Sequence, residues 1–285
     1  MINFHYWYMF FVSIIIAAFA NAVGIGGATF FSPIFILGLK LPVEVAVGTA
    51  LITEVFGFAS GVIGYAHRKL VDYKLAGKVL ITTIPFAVIG AISGHYINER
   101  ILKIIFAAGI IFLATKFLEK PDDKEVALLN KAIQEDYGET GKTTIITRSG
   151  EKIRYTVCNA GKGRILTSLG GFFLGIISTG LGELNSFFFL RTCRVPNRVA
   201  AGTSVVIISI SALIAATTHV KFFISLGPSV FYKVLEIVVF TVPGVIIGGQ
   251  LGPLVSSAFN KKILEPLLGV LFILIGIIIG IGVFL

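Results

Sequence analysis

The sequence predicts an all-α, polytopic membrane protein with about eight transmembrane helices in two homologous four-helix repeats, each with a glycine-interrupted first helix. Three observations carry this prediction: the composition, the distribution of charge and an internal repeat. Of the 285 residues, 55% are hydrophobic and only 14% are charged, whereas about 25% are charged in ordinary soluble domains. The chain therefore has more apolar surface than a soluble domain of its length buries.

Long stretches of the chain contain no Asp, Glu, Lys or Arg. About 20 predominantly apolar residues cross a bilayer, and backbone groups in lipid must be paired within the segment, so these stretches should be helices. A β-barrel would alternate apolar and polar residues, and residues 271–279 do not. The predicted spans are 7–39, 43–66, 75–97, 101–118, 165–190, 197–219, 231–254 and 263–285.

The two halves of the chain share a sequence pattern. Residues 40–49 align with 194–203 at an offset of 154, with Pro, Val, Ala, Gly and Thr in the same places. The same offset pairs Gly26 with Gly180. Scattered matches between apolar segments arise from composition alone, but a repeated Pro-x-x-Val-Ala-x-Gly-Thr block indicates duplication. We therefore predict a first membrane repeat at 1–118 and a second at 165–285.

The number of crossings in each half decides how the halves are related. Four full crossings per half would make them parallel, whereas an odd number would make them inverted. The segments 7–39 and 165–190 are uncertain, because glycines such as Gly24, Gly26 and Gly27 weaken a helix. We expect four crossings per half.

Residues 119–164 form a charged insertion between the halves. They hold nine Lys or Arg and eight Asp or Glu, so they must lie in water. A short amphipathic helix is predicted at 124–137, and two strands at 143–147 and 152–157 with a turn between them.

The distribution of Lys and Arg predicts how the chain is oriented. With eight crossings, most of these residues fall on the side of the insertion. Both termini and the 119–164 insertion should then be cytoplasmic in a multi-pass protein of the cell membrane. The net charge of +9 comes from residues at span ends, so it does not indicate nucleic-acid binding.

Three motifs in the first half carry a family resemblance. They read Gly-Ile-Gly-Gly-Ala-Thr-Phe-Phe-Ser-Pro at 24–33, Leu-Pro-Val-Glu-Val-Ala-Val-Gly-Thr-Ala at 41–50 and Tyr-Ala-His-Arg-Lys-Leu-Val-Asp-Tyr at 65–73. They resemble the TauE/SafE sulfite-exporter family over most of the chain except 119–164. The resemblance implies export or import of small sulfur oxyanions and organosulfonates. We expect no catalytic activity and no cofactor.

Duplicated membrane units with interrupted helices are typical of secondary transporters, which bind substrate at the interface between the repeats. Backbone N–H groups freed at a helix break bind anions, and hydroxyl groups nearby can contact them. The alternatives are close helix packing for the glycines and bonds within a helix for the hydroxyls. The predicted substrate-binding residues are Gly24, Gly26, Gly27, Thr49, Gly180, Gly182, Ser186 and Thr203.

Glu54 lies inside the second predicted span and Glu183 inside the fifth. A charge at mid-membrane costs about 2.5–3.5 kcal/mol on insertion scales, so Glu54 and Glu183 are candidates for proton coupling. The alternative is a structural hydrogen bond between helices. Arg191 and Arg194 either recruit the anion or anchor a span end. The four histidines show no metal-ligand spacing, and no metal site is predicted.

The sequence therefore predicts a secondary transporter of small anions, with the bilayer and the anion as its partners. A passive anion channel remains an alternative, and so does a membrane-embedded enzyme, although H-E-x-x-H and G-x-S-x-G motifs are absent. Assembly into a homo-oligomer stays open.

Overall fold

A computed structural model of the chain consists mainly of α-helices. The first half has a helical turn at Phe4–Tyr6, then α1 (Met9–Val23), α2 (Ala28–Pro33), which continues as a wider turn over Ile34–Gly38, α3 (Val43–His67), α4 (Tyr73–Tyr96) and α5 (Glu99–Leu118). The second half has α6 (Ala160–Ile177), α7 (Leu181–Ser186), α8 (Asn197–Ser225), α9 (Pro228–Val255) and α10 (Lys261–Ile281). The structure describes residues 4–118, 142–156, 160–186, 188–189, 193, 195–255 and 261–282.

The helical, multi-span class is confirmed. Among the described residues, α3, α4, α8 and α9 contain apolar helices long enough to cross a membrane, and four shorter apolar helical segments accompany them. Most of α3 and α8 is buried, whereas about a third of α4 and of α9 is. Helices α3 and α8 therefore form the centre of the bundle. The total of eight spans stays a prediction.

The first helix of each half ends at equivalent positions. Gly24 ends α1 with φ +74°, and Ser178, which is 154 residues later, follows α6 with φ +57°. Both values lie in the left-handed region, which stops a helix and redirects the chain. The predicted interruption of both first helices is thus present, and the long predicted segment 7–39 consists of two helical pieces.

Equivalent helices of the two halves run in opposite directions. A Cβ at Gly48, early in α3, would meet Phe223 late in α8, and a Cβ at Gly202, early in α8, would meet Tyr65 late in α3. The pair α5 and α10 behaves in the same way, with Gly269 beside Leu118 and Gly276 beside Ala107. Four crossings per half had predicted equal directions, and the helix directions contradict that expectation.

The direction of α1 explains the difference. Gly244, Gly248 and Gly252 of α9 meet successively later residues of α1, and Gly57 and Gly64 of α3 meet successively later residues of α9. Helices α1, α3 and α9 are therefore parallel. Because Asn21, near the end of α1, lies beside Gly57 and Gly61 of α3, beyond the midpoint of that helix, the segment 24–42 must carry the chain back to the level where α3 begins. The chain of this half therefore reverses direction once more than four simple crossings would require.

The halves are interleaved. Helix α1 packs along α9, and its equivalent α6 packs along α4. Both contacts are close because glycine lacks a side chain: a Cβ at Gly248 would strike the carbonyl oxygen of Ile14, and one at Gly175 would strike that of Ala87. Helix α3 also packs against both α8 and α9. Each half therefore completes the other's packing.

The described part of the insertion is a β-hairpin. Strands β1 (Lys142–Ile146) and β2 (Lys152–Thr156) are antiparallel, and Lys142 pairs with Thr156. The two strands and the turn between them were predicted correctly. The predicted helix at 124–137 lies outside the described residues.

The hairpin lies at one end of the bundle, which we call the hairpin end. There Arg148 N–H donates to the carbonyl oxygen of Arg68, just after α3 ends. Helix α1 starts at the opposite end, and α10 runs from the hairpin end to the opposite end. Both termini and the insertion were predicted on one side, whereas α1 starts and α10 ends at the end opposite the hairpin. The breaks after α1 and after α6, which the count of eight crossings omits, account for this difference. The side of the membrane on which each end lies stays a prediction.

Candidate functional site

The two helix breaks meet at the centre of the bundle. A Cβ added at Gly182, in the second half, would lie 2.5 Å from the backbone nitrogen of Gly26 in the first half. Gly26 in turn lies beside Glu54, which is at the midpoint of α3. The glycines therefore allow the backbones of the two halves to touch. The two breaks therefore lie side by side.

Hydroxyl groups join the two breaks directly. The Oγ1 atoms of Thr29 and Thr179 are 2.7 Å apart, and the Oγ atoms of Ser32 and Ser178 are 2.5 Å apart. All four side chains are buried. Each bond links the first half to the second, so the contact between the breaks is polar.

Glu183 closes the first turn of α7. Its Oε2 accepts from Gly180 N–H at 3.0 Å, and its Oε1 accepts from the Thr29 hydroxyl at 2.7 Å. The first contact is the carboxylate half of a capping box, in which the third helical residue reaches back to the N-cap. Both carboxylate oxygens thus have donors, and one donor comes from the other half.

Glu54 performs the same task for α2 from a different helix. Its Oε1 accepts from Ala28 N–H at 3.2 Å. Its Oε2 is buried and has no hydrogen-bond partner among the described residues. Glu54 also lies within electrostatic range of Glu183. The two acids therefore differ: Glu183 is satisfied as an acceptor, and Glu54 has one free oxygen.

Of the glycine N–H groups that sequence reasoning assigned to an anion, Gly180 N–H is bonded to a carboxylate, and Gly24 N–H donates to the carbonyl oxygen of Ala20. Ala28 N–H, which was not among those predicted, contacts the other acid. An anion can use Gly180 N–H or Ala28 N–H only if a carboxylate moves away or loses its charge.

A further buried amide lies in α7. Both polar atoms of the Asn185 side chain, in α7, lack partners among the described residues, as does Oγ of Ser204 and of Ser211 in α8. An unpaired buried polar group costs about 1–3 kcal/mol. Such groups are retained where water or a ligand takes up the bonds.

The remaining predicted site residues do not join this network. Thr49 donates to the carbonyl oxygen of Val45 in its own helix. Thr203 accepts from Asp72 N–H at the hairpin end. Because α3 and α8 are antiparallel, these equivalent threonines lie at opposite ends of the pair. The side chain of Ser186 and all of Arg191 and Arg194 lie outside the described residues.

Sequence reasoning missed Thr29, Thr179, Ser178 and Asn185. A threonine or serine in an apolar segment more often bonds within its own helix, so nothing local marked these residues. One signal was available: the offset of 154 aligns Thr29 with Glu183, the residue to which it is bonded.

A second pair of equivalent hydrogen bonds holds the helical turn that precedes each break. The Tyr65 hydroxyl donates to the carbonyl oxygen of Asn21 at 2.7 Å. His219 Nε2 lies 3.1 Å from the carbonyl oxygen of Gly175. The offset of 154 relates Tyr65 to His219 and Asn21 to Gly175. Each bond holds the last turn before a break, so the His219 ring serves a structural contact.

His219 also contacts His95, whose Nε2 is 3.4 Å from His219 Nδ1. Glu44 Oε1 lies 3.8 Å from the same His95 nitrogen. Among the described residues, no group of three His, Cys, Asp or Glu side chains is arranged to hold a metal.

Comparisons with known proteins support a membrane transporter. A family model described as sulfite exporter TauE/SafE matches residues 9–279. The chain is also similar to the probable membrane transporter protein YunE of Bacillus subtilis (strain 168), with 25% identity over 276 residues and 93% of each chain covered. No solved structure matches the chain.

Proposed function

The chain belongs to the TauE/SafE sulfite exporter family, and from that premise we propose that it is a secondary transporter of small sulfur oxyanions or organosulfonates, such as sulfite, across the cytoplasmic membrane. The family and the relative both support membrane transport rather than an enzyme. The observation that carries the proposal is the buried network in which Glu54, Glu183 and Thr29 join the two helix breaks.

We further propose that the halves are inverted repeats. The antiparallel pairs α3/α8 and α5/α10 support this, as does the exchange of α1 and α6 between halves. In inverted repeats the two halves have equivalent shapes and opposite orientations, so that alternating access follows from exchanging their conformations. A site where the breaks meet is then reached from each side in turn.

Proton coupling follows from the different environments of the two acids. A charged Glu54 would have one buried oxygen without a donor, which is costly. Protonation removes the charge and lets that oxygen donate. The bond from Ala28 N–H then weakens, because a neutral carboxyl group is the poorer acceptor. Ala28 N–H becomes available to the anion, so proton and anion bind together.

Glu183 has a different role in this mechanism. Its two oxygens already accept from Gly180 N–H and from Thr29, so neither oxygen is left without a donor. We assign Glu183 to holding the two breaks together and Glu54 to carrying the proton. This sharpens the sequence prediction, which treated the two acids alike.

A binding screen tests the proposed substrate class. Sulfite, sulfate, thiosulfate and small sulfonates would each be added to the purified protein, and the thermal midpoint measured against chloride at equal ionic strength. A ligand that binds only the folded state raises the midpoint. We expect at least one sulfur oxyanion to raise it in the natural protein. If none does, and none is transported, the substrate class is wrong.

A further inference from the structure

The β-hairpin is attached to the membrane helices by specific contacts. The Tyr155 hydroxyl donates to Oδ2 of Asp72 at 2.6 Å, and Asp72 N–H donates to Oγ1 of Thr203. Tyr155 is buried, and burial, together with the hydrogen bond and charge of Asp72, raises the pKa of its hydroxyl. The hairpin thus lies where α4 and α8 begin.

A cavity of about 480 Å³ lies between the hairpin and the helices. Its wall brings together guanidinium groups from three separate segments. Arg68 follows α3, Arg148 lies in the hairpin turn, and Arg198 lies in the first turn of α8. The hydroxyl groups of Thr147 and Ser149, which also line the cavity, are 2.9 Å apart.

The positive charge of this cavity is largely uncompensated. Arg68 donates to the carbonyl oxygen of Pro253, which is a neutral acceptor. Arg198 pairs with Glu151 at 3.3 Å, but both side chains are more than half exposed, and such a pair contributes little. Arg148 has no ion pair among the described residues. Three guanidinium groups therefore face one carboxylate.

We propose that this cavity is a binding site for a divalent oxyanion, sulfate or phosphate in type, held by Arg68, Arg148 and Arg198. The planar guanidinium group offers two parallel N–H donors to such an anion. The hydroxyls of Thr147 and Ser149 supply further donors. The site is separate from the buried network at the helix breaks and does not depend on the proposed transport function.

The three arginines belong to two different parts of the protein, the hairpin and the membrane helices. Arg148 belongs to the hairpin, whereas Arg68 and Arg198 belong to the membrane helices. An anion that contacts all three joins the two parts. Bound anion should therefore hold the hairpin more firmly against the helices, and hydrogen exchange of the hairpin amides reports binding at this place alone.

The experiment is a titration of the full-length protein in detergent with sulfate, followed by hydrogen exchange of residues 142–156. Chloride at equal ionic strength is the control for screening. We expect sulfate to slow exchange in the natural protein with a saturable dependence. Arg148→Gln and Arg198→Gln should each raise the half-saturating concentration by about tenfold, since each removes a charge-assisted pair of hydrogen bonds. Arg154→Gln is the matched control, because it removes the same charge from the same hairpin outside the cavity wall.

Further arms identify the source of the anion. Inorganic phosphate replaces sulfate in one, and vesicles of phosphatidylglycerol replace it in another, so that a lipid headgroup is distinguished from a free ion. The site is supported if any of the three ligands slows exchange and Arg148→Gln weakens that effect as expected. Equal slowing in Arg148→Gln and the natural protein, equal loss in Arg154→Gln, or no slowing in any arm would overturn it. Glu54→Gln should leave the result unchanged, so failure of the transport mechanism is distinguishable.

Discussion

At the scale of single residues, the site is governed by which hydrogen bonds each acid makes. Glu183 accepts from Gly180 N–H and Thr29, whereas Glu54 accepts from Ala28 N–H and keeps one oxygen unpaired. Both are buried in what the sequence marks as spans. Position alone made them equal candidates, and their contacts are the basis on which we propose a structural role for Glu183 and a proton-carrying role for Glu54.

The first prediction concerns Glu54→Gln. If Glu54 takes up a proton with the anion, affinity rises as the pH falls, by at most about tenfold per pH unit for one coupled proton. Reciprocity requires that the anion also favours protonation. Glutamine cannot be charged, so the variant should bind at every pH with a flat dependence. Anion affinity, corrected for ionisation of the anion, is measured between acid and neutral pH.

Glu99→Gln is the matched control, since Glu99 is exposed and pairs with Lys103 one turn away. It should keep the pH dependence of the natural protein. If affinity in the natural protein does not vary with pH, Glu54 carries no coupled proton and is better read as structural.

The second prediction concerns the hydroxyl that joins the halves. Thr29→Val removes bonds to Glu183 and Thr179, leaving buried acceptors unpaired at a cost of about 1–3 kcal/mol each. We expect a lower thermal midpoint and strongly reduced anion uptake into liposomes. Thr83→Val is the comparison, because that buried hydroxyl bonds only to its own helix, at the carbonyl oxygen of Val79. Equal effects of the two variants would show that the bonds of Thr29 between the halves contribute no more than a bond within one helix.

At the scale of helices, the breaks were predictable and their consequence was not. The offset of 154 identified Gly26 and Gly180 as equivalent, and both lie at breaks. Whether the chain continues or turns back depends on φ at Gly24, which is +74°. A glycine permits both outcomes, so the sequence alone could not decide between them. Sequence reasoning missed Thr29 and Thr179 for a similar reason, because the side chains to which they bond across the interface belong to the other half.

The third prediction tests the interleaved packing of helices. Gly175→Ala would place a methyl group against the backbone oxygen of Ala87 and nitrogen of Ala91. Such overpacking costs about 1–3 kcal/mol, so we expect a lower thermal midpoint in detergent. At Gly77, a Cβ would meet nothing within 4 Å, and Gly77→Ala should be neutral or stabilising. Should Gly175→Ala melt like the natural protein, α4 and α6 do not pack this closely.

At the scale of the whole molecule, the helix directions give the bundle two distinct ends. The described Lys and Arg at the hairpin end include Arg68, Lys69, Lys74, Lys78, Arg148, Lys152, Arg154, Arg164 and Arg198. Those toward the opposite end are Lys40, Arg100, Lys103, Lys221 and Lys233. The positive-inside bias therefore predicts that the hairpin end faces the cytoplasm and that α1 starts and α10 ends on the outer side.

The fourth prediction is this orientation. Cys193 lies near the start of α8, at the hairpin end, and is buried and disulfide-bonded. Disulfides are rare in a reducing cytosol, so this bond favours the opposite orientation to the one that the Lys and Arg residues predict. The orientation is therefore to be measured directly. An epitope placed in the hairpin turn at Ser149 should be inaccessible to antibody in intact cells, and one at the C-terminus should be accessible. The reverse pattern would place the insertion outside.

The central claim is that an anion crosses where the two helix breaks meet. Trans-stimulated uptake of radiolabelled sulfite into liposomes measures this most directly, because a carrier is accelerated by unlabelled substrate on the far side and a channel is not. Gly182→Ala would press a methyl group against Gly26, while Gly77→Ala changes an open position. We expect trans-stimulation in the natural protein and in Gly77→Ala, and its loss in Gly182→Ala. Uptake without trans-stimulation, or full trans-stimulation in Gly182→Ala, would contradict the claim.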